Sequence, residues 1–279
     1  MSKNKKRGRS VIGSILWWLI LLIAIAIFAF SAYKLLSIWM EYKAGSDEYN
    51  DLQQFAVTGS SSAGEGSEGS QGTQGSGEGG TSGQATPEEE VEEGPQIDFV
   101  ALEEVNNDVV GWLYVEALED INYPIVHGPD NDYYLHRTVK KTYNFAGSIF
   151  LEATNKPDFS DPHNIVFGHN MKNGSMFGQL RKFREREVYD KSRYFWICTP
   201  EKNYKYEIFS VQEVLSGGDA YLLFSAPGSE LLEYAQRMEQ QSEVKTPGIT
   251  FTENSKIVTL STCTTNTIKR LIVQGVLVN

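Results

Sequence analysis

Hydrophobic and polar positions divide this 279-residue chain into stretches of very different character. A basic segment, residues 1–10, is followed by an uncharged and mostly apolar run from Val11 to Tyr33. As a helix, that run would be roughly 34 Å long at about 1.5 Å per residue, enough to cross a bilayer core of about 30 Å. The pattern predicts a transmembrane anchor over residues 11–33. Because basic flanks stay cytoplasmic, everything after the anchor is expected outside the cell.

A cleaved signal peptide is the competing interpretation of the same run. Residues Ala29-Phe30-Ser31-Ala32 resemble a processing site made of small residues. However, the apolar core is longer than the hydrophobic region of an ordinary signal peptide, and this length favours an anchor that is retained.

Two further stretches follow the anchor. Residues 34–56 predict a stalk, of which Lys43 to Ala56 is polar and compatible with a helix, whereas residues 57–95 consist mostly of Gly, Ser, Thr, Gln and Glu. The second stretch has too little apolar surface to offset the entropy of ordering it, which predicts a flexible acidic linker. Its Glu run contributes to the net charge of −11. No basic cluster lies beyond the N-terminus, so a nucleic-acid partner is not expected.

The remaining residues, 96–279, predict one folded domain rich in short strands. Helical periodicity appears in only three places, at Asp98–Val105, Ser175–Arg184 and Ser229–Ser242, with Asp98 and Ser229 as expected N-caps. The predicted strands are Gly111–Val115, Ile121–His127, Ser148–Glu152, Asn164–Gly168, Tyr194–Thr199, Lys205–Val214, Lys256–Thr262 and Leu271–Val278. About eight strands with few helices indicate a mostly-β barrel or closed sandwich.

The candidate chemistry lies at the ends of two of these strands. Cys263 ends the run Thr259-Leu260-Ser261-Thr262-Cys263, and Arg270 follows it, while His169 follows the run ending in Phe167-Gly168. A thiol, an imidazole and a guanidinium together can cleave an amide through a thioester. The competing interpretations are a buried structural Cys, a structural His and a solvated surface Arg, and Lys269 competes with Arg270 for the cationic role.

The chain contains two cysteines, so one disulfide between Cys198 and Cys263 is a further alternative for a domain outside the cell. A buried thiol at Cys198 and a reactive thiol at Cys263 fit the sequence better, because Cys198 lies in the apolar run Tyr194–Cys198. A metal site is not expected, since one Cys and one His offer too few ligands and no CxxC or HxxxH spacing occurs.

These motifs resemble the sortases, the cysteine transpeptidases of Gram-positive cell surfaces, and among them class B. The likeness extends over Asp98 to Asn279 and implies a closed eight-stranded barrel of the sortase type. The stretches that carry it, besides those around His169 and Cys263, are Asn106-Asn107-Asp108 before Gly111-Trp112, Ile121–Val126, Asp130–Leu135, Ala146–Phe150 and Gly168–Met171 continuing into Gly174–Phe177.

The resemblance implies roles for individual residues. Cys263 would be the nucleophile, His169 the general acid and base, and Arg270, rather than Lys269, the group that faces the oxyanion. Four residues would line the substrate groove: Asn131, Leu135, Ser261 and Thr262. Asn131 is equally suited to a role in the turn after Gly128-Pro129. The stretch 218–246 would wall the groove, and Phe167 stands where some relatives carry Tyr.

The activity implied is cleavage of a C-terminal sorting motif after Thr, with Asn-Pro-x-Thr or a relative as the motif. The resulting thioester would be resolved by an amine of peptidoglycan or of a pilin Lys. No cofactor is expected, because activation of the thiol and release of the amine are both proton transfers. The expected partners are secreted proteins that carry the motif, the amine acceptor and the membrane. A cysteine protease that uses water, and a tethered binding module without catalysis, remain as alternatives.

Overall fold

The computed structural model describes residues 11–57, 94–263 and 268–278, with the backbone alone described at a few positions, among them Cys263. The basic N-terminus and nearly all of the predicted linker lie outside the described residues. Helix α1 (Val11–Leu52) is 42 residues long. Within the described part of the chain, this helix alone is long and apolar enough to cross a membrane, and the side chains of its apolar part are exposed.

The second half of α1, the predicted stalk, packs against the rest of the molecule. Tyr49 and Leu52 are buried there, and the Tyr49 hydroxyl donates to the carbonyl of Gly147 at 2.7 Å. The Glu48 carboxylate accepts the backbone N–H of Lys140 at 2.9 Å. The predicted stalk is thus held against the domain by contacts with residues that lie far away in the chain.

A two-stranded ribbon joins the two ends of the predicted linker. After a 3-10 turn at Gln53–Phe55, strand β1 (Ala56–Val57) pairs antiparallel with β2 (Gln96–Ile97). The chain therefore leaves the stalk and returns to the domain at the same place.

Eight strands close into a barrel, which confirms the predicted fold class. The strands are β3 (Val109–Val115), β4 (Asn122–Val126), β5 (Ile149–Leu151), β6 (His163–Gly168), β7 (Tyr194–Cys198), β8 (Asn203–Leu215), β9 (Ile257–Cys263) and β10 (Lys269–Leu277). Their order around the barrel is β10-β8-β7-β3-β4-β5-β6-β9. All eight coincide with the predicted runs to within two residues at each end. Two pairs, β4–β5 and β6–β9, are parallel and the others are antiparallel.

Two of the three predicted helices are confirmed. Helix α2 (Phe99–Val105) begins after Asp98, whose carboxylate accepts the backbone N–H of Ala101 at 3.0 Å as an N-cap does. Helix α4 (Ser229–Gln241) turns its apolar stripe inward, so that Leu231, Ala235 and Met238 are buried in a cluster with residues of β8, β9 and β10. Its N-cap is Gly228, so the prediction that Ser229 caps the helix was wrong: Ser229 is its first residue.

The prediction of a helix at Ser175–Arg184 was wrong. Residues 171–179 form turns, and only Leu180–Arg184, a 3-10 helix, is helical before α3 (Arg186–Lys191) begins. Met176 has a positive φ of 54°, and Gly178 lies so close to the Met171 carbonyl that a Cβ would be 2.4 Å from it. Tertiary packing of the buried Met176, Leu180 and Phe183 therefore replaced the helix that their spacing suggested.

Candidate active site

The parallel pairing of β6 and β9 builds one edge of the barrel at the carboxyl ends of both strands. Gly168 is in register with Thr262, so His169 and Cys263 each directly follow a paired position on neighbouring strands. Gly168 has no room for a side chain, because a Cβ there would lie 2.5 Å from Ile149 and 2.8 Å from Phe177. Because residue 168 is Gly, the side chains of Ile149 and Phe177 can pack directly against the backbone just before His169.

Strand β10 brings the cation to the same edge. Arg270 pairs directly with Cys263 across the antiparallel β9–β10 ladder. Because neighbouring residues of a strand point to opposite faces, only one of Lys269 and Arg270 can face the site. The exposed Lys269 ammonium lies 3.9 Å from the carboxylate of Glu213. The Arg270 charge, in contrast, lowers the pKa of His169, which places the guanidinium near the imidazole.

A hydrogen bond fixes the tautomer of His169. Its Nε2 lies 2.8 Å from the carbonyl oxygen of Leu135. Since a carbonyl oxygen only accepts, Nε2 carries the hydrogen, and Nδ1 keeps the lone pair that can take up a proton. The backbone around His169 is held as well, because its carbonyl accepts the N–H of Phe177 at 2.9 Å.

The surroundings of His169 favour the neutral imidazole. Burial is the largest cause that lowers its pKa, and the nearby His136 and Arg270 charges lower it further. The hydrogen bond to Leu135 raises the pKa, but the net effect of these causes is to lower it. A neutral imidazole with a free lone pair is the form that accepts a proton from an attacking nucleophile.

Tyr221 forms a wall beside these groups. It ends the short 3-10 helix Asp219–Tyr221, and its hydroxyl lies 2.8 Å from the Oγ of Ser261 on β9. Its ring is parallel to that of Phe167, with 6.3 Å between the ring centroids. Burial raises the pKa of the Tyr221 hydroxyl, and the Arg270 charge lowers it in part, so Tyr221 and Arg270 are close.

The four predicted groove residues take different positions. Ser261 and Thr262 are buried in β9, directly before Cys263, and Leu135 contacts His169 through its carbonyl. The Asn131 side chain donates to Glu152 at 2.7 Å and accepts from the backbone N–H of Ala153 at 2.9 Å. The Asn131 side chain therefore ties the turn that contains it to the segment after β5, and its contact with a substrate stays a prediction.

Cys198 is a free, buried thiol on β7. Burial raises its pKa to about 12, so it remains protonated and unreactive at neutral pH. Strands β10 and β8 separate β7 from β9 in the barrel. These properties fit a structural cysteine at position 198.

Two neighbours of the site had no sequence signal of their own. His136 lies with its ring centroid 5.5 Å from that of His169, although nothing in its neighbourhood in the sequence distinguishes it from a surface His. Tyr221 belongs to the stretch expected to wall the groove, but only the structure shows its contacts with Ser261 and Phe167.

Comparison with known proteins gives consistent matches. The family model described as Sortase domain matches residues 113–278, more than half of the chain. Sortase B of Listeria monocytogenes is 38% identical over 182 residues, which cover 63% of this chain and 72% of that protein. Sortase B of Staphylococcus aureus is 26% identical over 180 residues, with the same coverage of 63% and 72%.

Solved structures resemble the whole domain. The crystal structure of sortase B from B. anthracis in complex with AAEK1 aligns with a TM-score of 0.66 at 29% identity, covering 86% of this chain and 99% of that chain. Sortase B of Clostridium perfringens aligns with a TM-score of 0.60 at 30% identity, covering 65% of this chain and 100% of that chain.

Proposed function

This chain belongs to the sortase family, within class B, whose members are cysteine transpeptidases of the cell wall, and from that premise we propose how it acts. It cleaves a C-terminal sorting motif of a secreted protein after Thr and joins the new C-terminus to an amine of peptidoglycan or of a pilin Lys. Asn-Pro-x-Thr or a relative is the proposed motif.

One observation carries the proposal. Strand β6 ends directly before His169, its parallel neighbour β9 ends at Cys263, and Arg270 is in register with Cys263 on the next strand. His169 and Arg270 therefore lie on either side of the backbone of Cys263. Among the residues that the structure describes, Cys263 is the only cysteine at this edge of the barrel. This arrangement supports acyl transfer through a thioester, with a nucleophile, a proton carrier and an oxyanion donor.

The reaction has two steps. The neutral His169 accepts the proton of the Cys263 thiol as the sulfur attacks the carbonyl carbon of the motif Thr, and Arg270 stabilises the oxyanion that forms. The C–N bond then breaks, and His169 in its protonated form donates its proton to the leaving amine, which leaves a thioester on Cys263. In the second step the neutral His169 accepts a proton from the incoming amine as it attacks the thioester. The C–S bond breaks, the new amide forms, and His169 returns the proton to the departing sulfur, which restores the thiol and the neutral imidazole.

The proposed setting is the outer face of the cell membrane. Residues 1–10 remain cytoplasmic, residues 11–33 span the membrane, and the domain of residues 96–279 lies outside. The packing of Tyr49 and Leu52 on the domain supports an active site held at a fixed distance from the membrane surface. Substrates that emerge from the membrane would meet the site there.

Amine dependence distinguishes the transpeptidase from the two alternatives. We expect the full-length chain in detergent, given a sorting-motif peptide and a rising concentration of an amine, to form ligated product that outgrows the hydrolysed product. Cys263→Ala should form neither product. Hydrolysed peptide that does not respond to the amine would instead indicate a protease. Tight peptide binding that Cys263→Ala retains, without any product from the unmodified chain, would indicate a binding module.

A further inference from the structure

Four fully buried polar side chains form a continuous hydrogen-bonded chain behind the active site. They are His163 on β6, Thr259 on β9, Gln274 on β10 and Tyr234 on α4, each with an exposed fraction of 0%. Buried polar groups are costly unless they are paired, so such a chain needs a reason within the molecule. The catalytic steps described above use none of the four.

The first half of the chain has a fixed direction. His163 Nδ1 lies 2.6 Å from the Leu222 carbonyl, which only accepts, so Nδ1 carries the hydrogen. His163 Nε2 therefore accepts the hydroxyl hydrogen of Thr259 at 2.7 Å. Burial lowers the pKa of His163 to about 4, so the imidazole is neutral at physiological pH, as this arrangement requires.

The second half continues from Thr259 to the helix. The amide Nε2 of Gln274 donates to the Thr259 hydroxyl at 2.9 Å and to the Tyr234 hydroxyl at 2.7 Å, and Tyr234 donates to the Ala220 carbonyl at 2.9 Å. If the nitrogen and oxygen of the Gln274 amide were exchanged, the oxygen would face the hydroxyls of Thr259 and Tyr234, and both hydroxyls would have to donate to it. The Ala220 carbonyl and His163 Nε2 would then lose their donors.

Both ends of this chain reach the same short segment. The carbonyls of Ala220 and Leu222 flank Tyr221, so the backbone of Tyr221 is held from either side. Tyr221 is the residue that contacts Ser261 and Phe167 at the active site. The buried chain is thus connected to the site through one residue.

We propose that His163, Thr259, Gln274 and Tyr234 are positioning residues that hold Tyr221 in place as the wall of the peptide groove. The inference rests on the proposed function for its kinetic consequence. Its structural consequence, a rigid segment 219–222, is independent of any activity. Loss of one link frees this segment, which weakens binding of the peptide while the groups that perform the chemistry stay in place.

The test compares Tyr234→Phe with Tyr189→Phe in the full-length chain. Both changes remove the hydroxyl of a buried Tyr, but Tyr189 bonds Thr246 and the Ile208 carbonyl instead. We expect Tyr234→Phe to raise the KM for a sorting peptide about tenfold, the usual effect of losing one buried hydrogen bond, with kcat changed less than about twofold. Hydrogen exchange of the amides of residues 219–222 should accelerate at least as much, and Tyr189→Phe should change neither quantity.

A second pair of variants, both at Thr259, distinguishes the loss of this hydrogen bond from a general loss of stability. Thr259→Val removes the central hydroxyl at nearly constant volume, whereas Thr259→Ser keeps it, so only the Val variant should reproduce the effect of Tyr234→Phe. Unchanged exchange in residues 219–222 of Tyr234→Phe, or equal changes in Tyr189→Phe, would overturn the inference. If the unmodified chain turns over no peptide, the proposed function fails, and hydrogen exchange alone still decides whether the positioning role is correct.

Discussion

His169→Ala is expected to reduce kcat for a sorting peptide by about 10³ or more, because general acid and base catalysis alone contributes about 10²–10⁴. The matched control is His136→Ala, whose exposed imidazole lies beside that of His169. His136→Ala should keep kcat within about threefold of the unmodified chain, because a loss of about 10³ is expected only when the group that transfers the proton is removed.

The pH profile gives this prediction a second measurement. Burial, above all, and the neighbouring His136 and Arg270 lower the pKa of His169, so the neutral form that accepts the thiol proton persists to lower pH than in a free imidazole. The acid limb of kcat/KM should therefore have its midpoint below about 6.5, the ordinary value for His. Removing the His136 side chain, whose electrostatic effect lowers the pKa of His169, should move that midpoint upward. A midpoint above about 6.5, or equal losses of kcat in both variants, would contradict the role assigned to His169.

Arg270→Ala is expected to lower kcat by about 10²–10³, the cost of removing one oxyanion donor in comparable acyl-transfer enzymes. Lys269→Ala should leave kcat within about twofold, because an exposed ion pair such as that with Glu213 contributes little. The two cations are adjacent in the chain, so the pair compares one face of β10 with the other.

Steady-state kinetics of both variants, with the same peptide and amine, separates the two cations. Arg270→Ala should act mainly on kcat, since the oxyanion forms only in the transition state. It should also raise the pKa of His169, because a nearby positive charge is removed. A larger loss of kcat in Lys269→Ala than in Arg270→Ala would contradict the assignment of Arg270, which rests on its pairing with Cys263 between β9 and β10.

Local sequence pattern was sufficient for the strands of the barrel. The runs ending in Gly168 and Cys263 alternate or continue as buried strands do, so their existence followed from composition and periodicity. That these two strands are parallel neighbours did not follow, because the residues paired between them, such as Gly168 and Thr262, are far apart in the chain. The resemblance, rather than the pattern, placed His169 beside Cys263.

The predictions that were wrong or missing depend on tertiary contacts. Residues 175–184 have helical spacing, yet the turn at Met176 and the close approach at Gly178 gave the chain another way to bury its apolar residues. The contact between Tyr49 and Gly147 joins residues 98 positions apart. No local pattern predicts such pairs, and the same holds for the buried chain that holds Tyr221.

The central claim is that Cys263 carries the substrate as a thioester, and the mass of the intact protein tests it most directly. The full-length chain is incubated with a panel of sorting-motif peptides without any amine, and its mass is then measured. We expect an increase equal to the mass of the peptide fragment that ends in Thr, and no such increase in Cys263→Ala. No increase with any peptide, from a folded chain whose Cys263 reacts with an alkylating reagent, would contradict it.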